Sequence, residues 1–156
     1  MRRLVLDEWL WADLRGENQR EAQRESFWLL QKVFDQCDQL VTVDGSPFLQ
    51  KFYDLCEEAS TGDPRRAIVR TFRDQFLYNS EKLHRLQESD LPEVPREIEG
   101  NIKDDDKYLV RAYLAAGAEL LVTTDEQLME ALNNCGIRCR DRKSVISDYV
   151  REQGHK

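Results

Sequence analysis

Histidine and paired cysteines are scarce in this chain, which removes one class of metal chemistry at the outset. Its two histidines, His84 and His155, lie far from any cysteine pair. Its four cysteines, Cys37, Cys56, Cys135 and Cys139, lack the close spacing of zinc ligands. Without a secretion signal they read as free thiols rather than a disulfide framework. The opening run Met1 to Leu6 imitates a signal peptide, but Asp7 breaks it. No stretch approaches the roughly 18 consecutive apolar residues of a membrane span, so a cytoplasmic protein is expected. A glycine-rich phosphate loop and a Gly-x-Ser-x-Gly elbow are both missing, which argues against nucleotide-binding and serine-hydrolase chemistry. Positive charge is short as well: 23 Lys and Arg against 30 Asp and Glu leave a net charge of −7. Such a chain does not coat nucleic acid by charge alone. Local basic patches remain, Arg65, Arg66, Arg70 and Arg73 on one helix and Arg138, Arg140, Arg142 and Lys143 near the end. Solvated faces with ion pairs account for such clusters as well as binding does.

What is present is a single domain's length, 156 residues, with strand-like and helix-like segments in alternation. Residues 3–6 are a short apolar run, read as a first buried strand that ends in Asp7. Trp9 and Trp11 follow, expected to be buried. Residues 16–24 are polar and helix-friendly, and Phe27, Leu30, Val33, Phe34 and Cys37 continue with helical spacing. Leu40 to Val43 is a β-branched second strand, closed by Asp44 and Gly45. Pro47 opens a helix whose apolar side is Phe48, Leu49, Phe52 and Leu55. Pro64 opens another, expected to run to about Leu86, with His84 on its outer face. Residues 88–100 read as a loop with room for a brief strand. Residues 126–132 read as a helix, 136–139 as a final edge strand and 144–150 as a closing helix. Alternation of this kind predicts a three-layer α/β/α architecture with a short, mainly parallel sheet of four or five strands.

One stretch organises the rest. Leu109, Ala112, Tyr113 and Ala116 recur at the spacing of one helical face. Gly117 stops that helix, and Leu120, Leu121 and Val122 form a run suited to a strand buried on both faces. Asp106 opens the helix and Asp125 leaves the strand. In an open α/β sheet, helix starts and strand carboxyl ends share one rim, where ligands bind. Asp7, at the end of the first strand, falls on the same rim if that strand is central. Three carboxylates without an intervening cation suit a hard divalent ion held through oxygen. Capping explains the same residues locally: acids favour helix starts, and Thr124 with Gln127 has capping-box spacing, which would put Asp125 in a helix's first turn.

These residues resemble the PIN-domain nucleases, a family that includes toxins of many toxin–antitoxin pairs. The resemblance lies in Leu4, Val5, Leu6 and Asp7, in Asp106 to Ala112, and in Gly117, Ala118 and Leu121 to Asp125. It extends over residues 1–156 as one PIN-like domain, and its most specific piece is the last. The family's acids at the end of strand one, at the start of this helix and after Thr-x carry over to Asp7, Asp106 and Asp125, as catalytic and metal-binding residues. Asp105 is the rival to Asp106, and the position of Tyr108 and Leu109 favours the latter. The family also carries an acid on the helix after strand two, where Gln50, Lys51 and Phe52 stand here. Asp44, Asp54, Glu57 and Glu58 are the nearby substitutes, and Lys51 could replace one cation.

The resemblance implies an Mg2+- or Mn2+-dependent endoribonuclease acting on single-stranded RNA, the toxin of a toxin–antitoxin pair, with an antitoxin protein as partner and homodimerisation as a family habit. Thr123 or Thr124 would orient a ligand carboxylate, and the Arg65 to Arg73 face would carry RNA. Two further readings stay open. One is a PIN-like module whose site has lapsed; the other is an α/β protein using its strand-end acids for a different phosphoryl transfer.

Overall fold

The computed structural model describes the backbone of residues 1–154 and the side chains through residue 149; His155 lies outside the described residues. The elements run in the order β1 (Arg3–Leu6), α1 (Trp9–Arg15), α2 (Arg20–Asp35), β2 (Gln39–Val43), α3 (Pro47–Glu58), α4 (Arg65–Phe72), β3 (Leu83–Leu86), α5 (Arg96–Glu99), α6 (Lys107–Ala116), β4 (Leu120–Thr123), α7 (Glu126–Asn133), β5 (Cys139–Asp141) and α8 (Arg142–Gly154). The five strands form one all-parallel sheet in the order β3-β2-β1-β4-β5, so β1 is central.

Side-chain alternation along the strands builds a core on each face. Leu4 and Leu6 of β1, with Leu120 and Val122 of β4, join the core beneath α1, α2, α3, α4 and α8. Val5 and Leu121 face the other way, toward Ile98, Leu109, Val110, Ala112 and Leu128 of α5, α6 and α7. This is the three-layer α/β/α arrangement expected from the sequence. Trp11 anchors the first core: it is fully buried, meets Phe72 edge-on with centroids 4.8 Å apart, and lies 5.2 Å from Phe52. Among the described residues, no helix is long and apolar enough to cross a membrane.

Several boundaries differ from the sequence reading. The expected long helix to Leu86 stops early, because a π-helical turn (Arg73–Leu77) follows α4 and a turn at Asn79 ends the helical run. The Asn79 backbone carbonyl accepts from the N–H groups of Lys82 and Leu83, and its side chain accepts from the Glu81 N–H. Leu83 to Leu86 then pair with β2 as the edge strand β3, so His84 lies on a strand and not on a helix's outer face. Leu83 and Leu86 are spaced three apart, which fits a helix in the sequence and a short strand in the fold. No strand forms in 88–100, which instead holds a 3-10 turn (Glu88–Asp90) and α5.

The short helix α1 was not anticipated as a separate element. Gly16, with φ 94°, ends it in the left-handed conformation, which separates it from α2. The last strand is shifted to Cys139–Asp141, because residues 136–138 are spent leaving α7. Gly136 at φ 78° makes that exit, and the Asn133 side chain brackets Cys139, donating to its carbonyl at 2.9 Å and accepting its N–H at 3.0 Å.

Candidate functional site

The central position of β1 puts its carboxyl end beside that of β4, with the start of α6 over the same rim. Asp7 continues the ladder beyond β1, its N–H donating to the Val122 carbonyl at 3.1 Å. The Trp9 indole N–H reaches the same carbonyl at 2.9 Å and clips α1 onto β4. Both Asp7 oxygens are engaged. Oδ1 accepts the Glu8 N–H at 2.6 Å, and Oδ2 accepts the Thr123 hydroxyl at 2.9 Å. Thr123 is fully buried, and its hydroxyl oxygen also accepts the Asp125 N–H at 3.1 Å. One hydroxyl therefore fixes two of the three expected acids. Of the two threonines considered from the sequence, Thr123 has this geometry and Thr124 is exposed.

Asp125 is itself the N-cap of α7: its Oδ1 accepts from the N–H groups of Gln127 and Leu128 at 3.0 and 3.2 Å. The expected capping box on Thr124 is thus replaced by an Asp cap one residue later. An aspartate fills the role better because its charge also complements the helix dipole. Asp106, at the boundary between a 3-10 turn (Asp104–Asp106) and α6, makes no capping hydrogen bond. Asp104 is exposed and pairs with Lys107, and Asp105 is exposed, whereas Asp106 is half-buried.

The electrostatics distinguish these residues further. Burial, followed by the charges of Asp7 and Asp125, pushes the Asp106 carboxyl up to about 6, against partial relief from Lys103. Asp7 is also raised, by burial above all and by Asp125 last, despite its two hydrogen bonds. Glu8 joins them: burial and then Asp7 raise it, with Asp106 and Asp105 adding to the shift and Lys51 opposing it. Glu8 was passed over in the sequence, although it adjoins Asp7 at the strand end. Mutual repulsion of this kind is a recognised mark of functional sites.

Among the described residues, no three His, Cys, Asp or Glu side chains converge as a closed metal cage requires. The donor set fits the more open mode, in which one or two carboxylates hold a hydrated hard cation that keeps several waters. Asp7, Asp106 and Asp125 offer oxygen alone. The nearby Cys139 thiol is buried and pushed up to about 12, chiefly by burial, so it stays protonated and offers no thiolate. The Tyr108 hydroxyl is buried without a partner of hydrogen-bonding geometry among the described residues. Burial and then the charges of Glu8, Asp7 and Asp106 raise it, so the phenol keeps its proton beside the acids.

The basic clusters are largely spent on local pairing. Arg65 holds Asp63 and Glu58, Arg66 reaches the Ala59 carbonyl and Arg73 pairs with Asp74. Near the chain's end, Arg140 pairs with Asp148, and Arg142 with Asp13 and Glu25. A cleft of ≈ 330 Å³ lined by Arg140, Asp141, Lys143, Ser144, Ser147 and Asp148 opens there, where β5 ends beside β4.

No protein-family model matches the chain, and no curated protein does. Among solved structures it is similar to a chain of VapBC2 from Rickettsia felis, a crystal structure in complex with a DNA fragment from their promoter. Sequence identity is 9%, the match covers 89% of this chain and 98% of that chain, and the TM-score is 0.51. The fold is PIN-like. At that identity the likeness concerns the fold, and the site rests on this chain's own residues.

Within this PIN-like frame Thr123 has a testable weight. Thr123→Val keeps the buried shape and removes the hydroxyl that holds Asp7 and Asp125. Were the acids to hold a cation, supporting residues of this kind would be worth roughly 10–100-fold in its affinity. Mn2+ titration of Thr123→Val is expected to show at least the lower figure, and an unchanged affinity would separate Thr123 from the metal.

Proposed function

We propose that this protein is a metal-dependent endoribonuclease of PIN type that cleaves single-stranded RNA, and that it acts as the toxin of a toxin–antitoxin pair. The observation that carries the reading is the meeting of Asp7 and Asp125 on one sheet rim through the Thr123 hydroxyl, with half-buried Asp106 within electrostatic reach of both. An all-oxygen acidic site of this kind suits Mg2+ or Mn2+. When bound, such a cation lowers the pKa of water and offsets charge growing on a phosphate. The protein's own contribution is positioning. Thr123 orients Asp7 and the Asp125 backbone, and α7 holds the Asp125 carboxylate. Lys143 and Ser144 line the cleft where β5 ends, beside Asp141 and the Arg140–Asp148 pair, and are the groups there that an RNA backbone would meet. The antitoxin partner and a homodimer follow from the family resemblance, and the partner is supported by the similarity to a chain of VapBC2.

A second reading, a PIN-like binding module without activity, is favoured by Lys51 and the buried Phe52 on α3, where the family carries an acid. Calorimetric titration with Mn2+ and Mg2+ separates the two. Wild-type protein is expected to bind, and an Asp7→Asn, Asp125→Asn double variant to lose binding, with cleavage of single-stranded RNA lost alongside. Absence of binding by the wild type at millimolar metal would favour the inactive module. Equal binding by both proteins would put the metal elsewhere.

A further inference from the structure

We infer that the groove between α2 and α8 binds single-stranded RNA, with phosphates on Arg20 and Arg24 and a base stacked on Trp28. The inference rests on the RNA reading of the protein and extends its binding surface beyond the cation rim. A groove of ≈ 870 Å³ opens there, lined by Arg20, Arg24, Phe27, Trp28 and Gln31 of α2 and Ile146 of α8. Its lining follows from helical spacing. Ser26, Leu29, Leu30 and Val33 turn one side of α2 into the core, so the groove residues share the other side. Arg142, the first residue of α8, donates to the Ala22 carbonyl and to Glu25. The groove therefore begins where α8 leaves β5, and it shares α8 with the cleft of Lys143 and Ser144.

The groove is charged for an anion. Most arginines of this chain are tied to acids or carbonyls, but Arg20 and Arg24 are exposed and have no partner among the described residues. Of the two acids beside them, Glu25 is held by Arg142, which leaves only Glu21 to oppose two guanidiniums. The Lys32 ammonium continues the stripe one turn further, 5.7 Å from the centre of the Trp28 ring. From Arg20 to Lys32 the stripe runs about 18 Å at the rise of an α-helix. Trp28 is the indole placed for a base. Trp9 and Trp11 are buried, whereas Trp28 is half-buried, packed against the core on one side and lining the groove on the other. A fixed aromatic face among cations suits a single strand of any sequence, because phosphates meet charge and every base has a face to stack. Cation, ring and cation alternate along the stripe as phosphate and base alternate along a strand. That alternation favours RNA over an acidic peptide as the occupant.

The test is titration of the full-length protein with a short labelled oligouridylate in EDTA, which prevents metal-dependent cleavage, read by anisotropy and by tryptophan emission over a range of KCl. The wild type is expected to bind and to be quenched, since Trp28 is the accessible indole. Arg24→Ala is expected to weaken binding about fivefold at low salt and to lower the slope of log K against log salt by about 0.7, the value for one phosphate contact on a single strand. Trp28→Leu keeps apolar packing and is expected to lose the quench and about fivefold or more in affinity. Arg96→Ala removes an exposed arginine from α5, on the opposite face of the sheet, and is expected to bind within twofold of the wild type. An abasic strand of the same length is expected to bind without quenching. Equal losses in Arg24→Ala and Arg96→Ala would reduce the groove to diffuse charge and overturn the inference. RNA binding without a quench would put the strand elsewhere and overturn it too, and tighter binding of an oligoglutamate peptide than of RNA would hand the groove to an acidic protein partner. Any of these results beside intact Mn2+ binding at the rim overturns the groove alone and leaves the nuclease reading standing. Failure of the wild type to bind RNA at all would overturn both.

Discussion

Replacing Asp13 with alanine is expected to cost the protein about 3–5 kcal/mol, the range for breaking a buried ion pair by removing one partner. Asp13 is only 3% exposed, yet it is fully paired. It accepts from Arg142 Nε at 2.7 Å, from Ser26 Oγ at 2.7 Å and from Asn18 Nδ2 at 2.8 Å. Arg142 in turn lies over the Trp9 ring at 5.6 Å and reaches the Ala22 carbonyl and Glu25. Without Asp13, the guanidinium keeps one carboxylate, on the more exposed Glu25. The network joins α1, α2 and α8. Urea unfolding of Asp13→Ala and Glu25→Ala checks the assignment. Glu25→Ala is expected to cost less than about 1 kcal/mol, as a largely solvated pair does. Equal losses would mean that the buried Asp13 pair carries no more stability than the solvated Glu25 pair.

Nothing about Asp13 in the sequence announces this role. Its partners are Asn18, Ser26 and Arg142, and the last lies 129 residues away. The chain sequence carries local periodicity, and long-range polar pairing leaves no periodic trace. The features that were legible are those set by local rules. Alternating apolar runs indicated an α/β/α fold with a parallel sheet, and the face of Leu109, Ala112 and Ala116 is buried as its spacing implies. Gly117, at φ 59°, ends α6 as a left-handed cap. Strand β3 was hidden because Leu83 and Leu86 have a spacing that a helix also satisfies. Helix α1 was hidden because seven residues are too few to establish a helical period.

The positions of the candidate acids were legible for the same reason. Strand-end and helix-start positions can be read from a sequence, so Asp7, Asp106 and Asp125 could be named before their surroundings were known. The register of Tyr108 and Leu109 already favoured Asp106 over Asp105, and the fold has Asp105 exposed and Asp106 half-buried.

Asp106→Asn is expected to move stability and function in opposite directions. The folded-state carboxyl titrates at about 6 against an ordinary 3.8, so between those values the folded protein holds a proton that the unfolded chain has released. The stability tied to that proton is fully present below pH ~4 and is lost as pH rises through about 6. At pH 7.5 the metal-free wild type therefore carries the unfavourable charge among Asp7, Asp125, Asp105 and Glu8, with Lys103 as partial relief. Asparagine removes it. Asp106 is half-exposed and solvent screens the repulsion, so the gain is about 1 kcal/mol, and it is expected to vanish toward pH 4. Mn2+ should reverse the order. A cation at a hundredfold excess over its Kd stabilises the wild type by about 2.7 kcal/mol, which exceeds the gain from asparagine. On the proposed nuclease reading, RNA cleavage by Asp106→Asn is expected to fall by more than about 100-fold, since a ligand would matter at least as much as its supports. Thermal melts at pH 4.5 and 7.5, with and without Mn2+, read both signs. A variant that is more stable without metal and less stable with it identifies Asp106 as a charge held in place for a cation. Equal Mn2+ stabilisation of both proteins would remove Asp106 from the site.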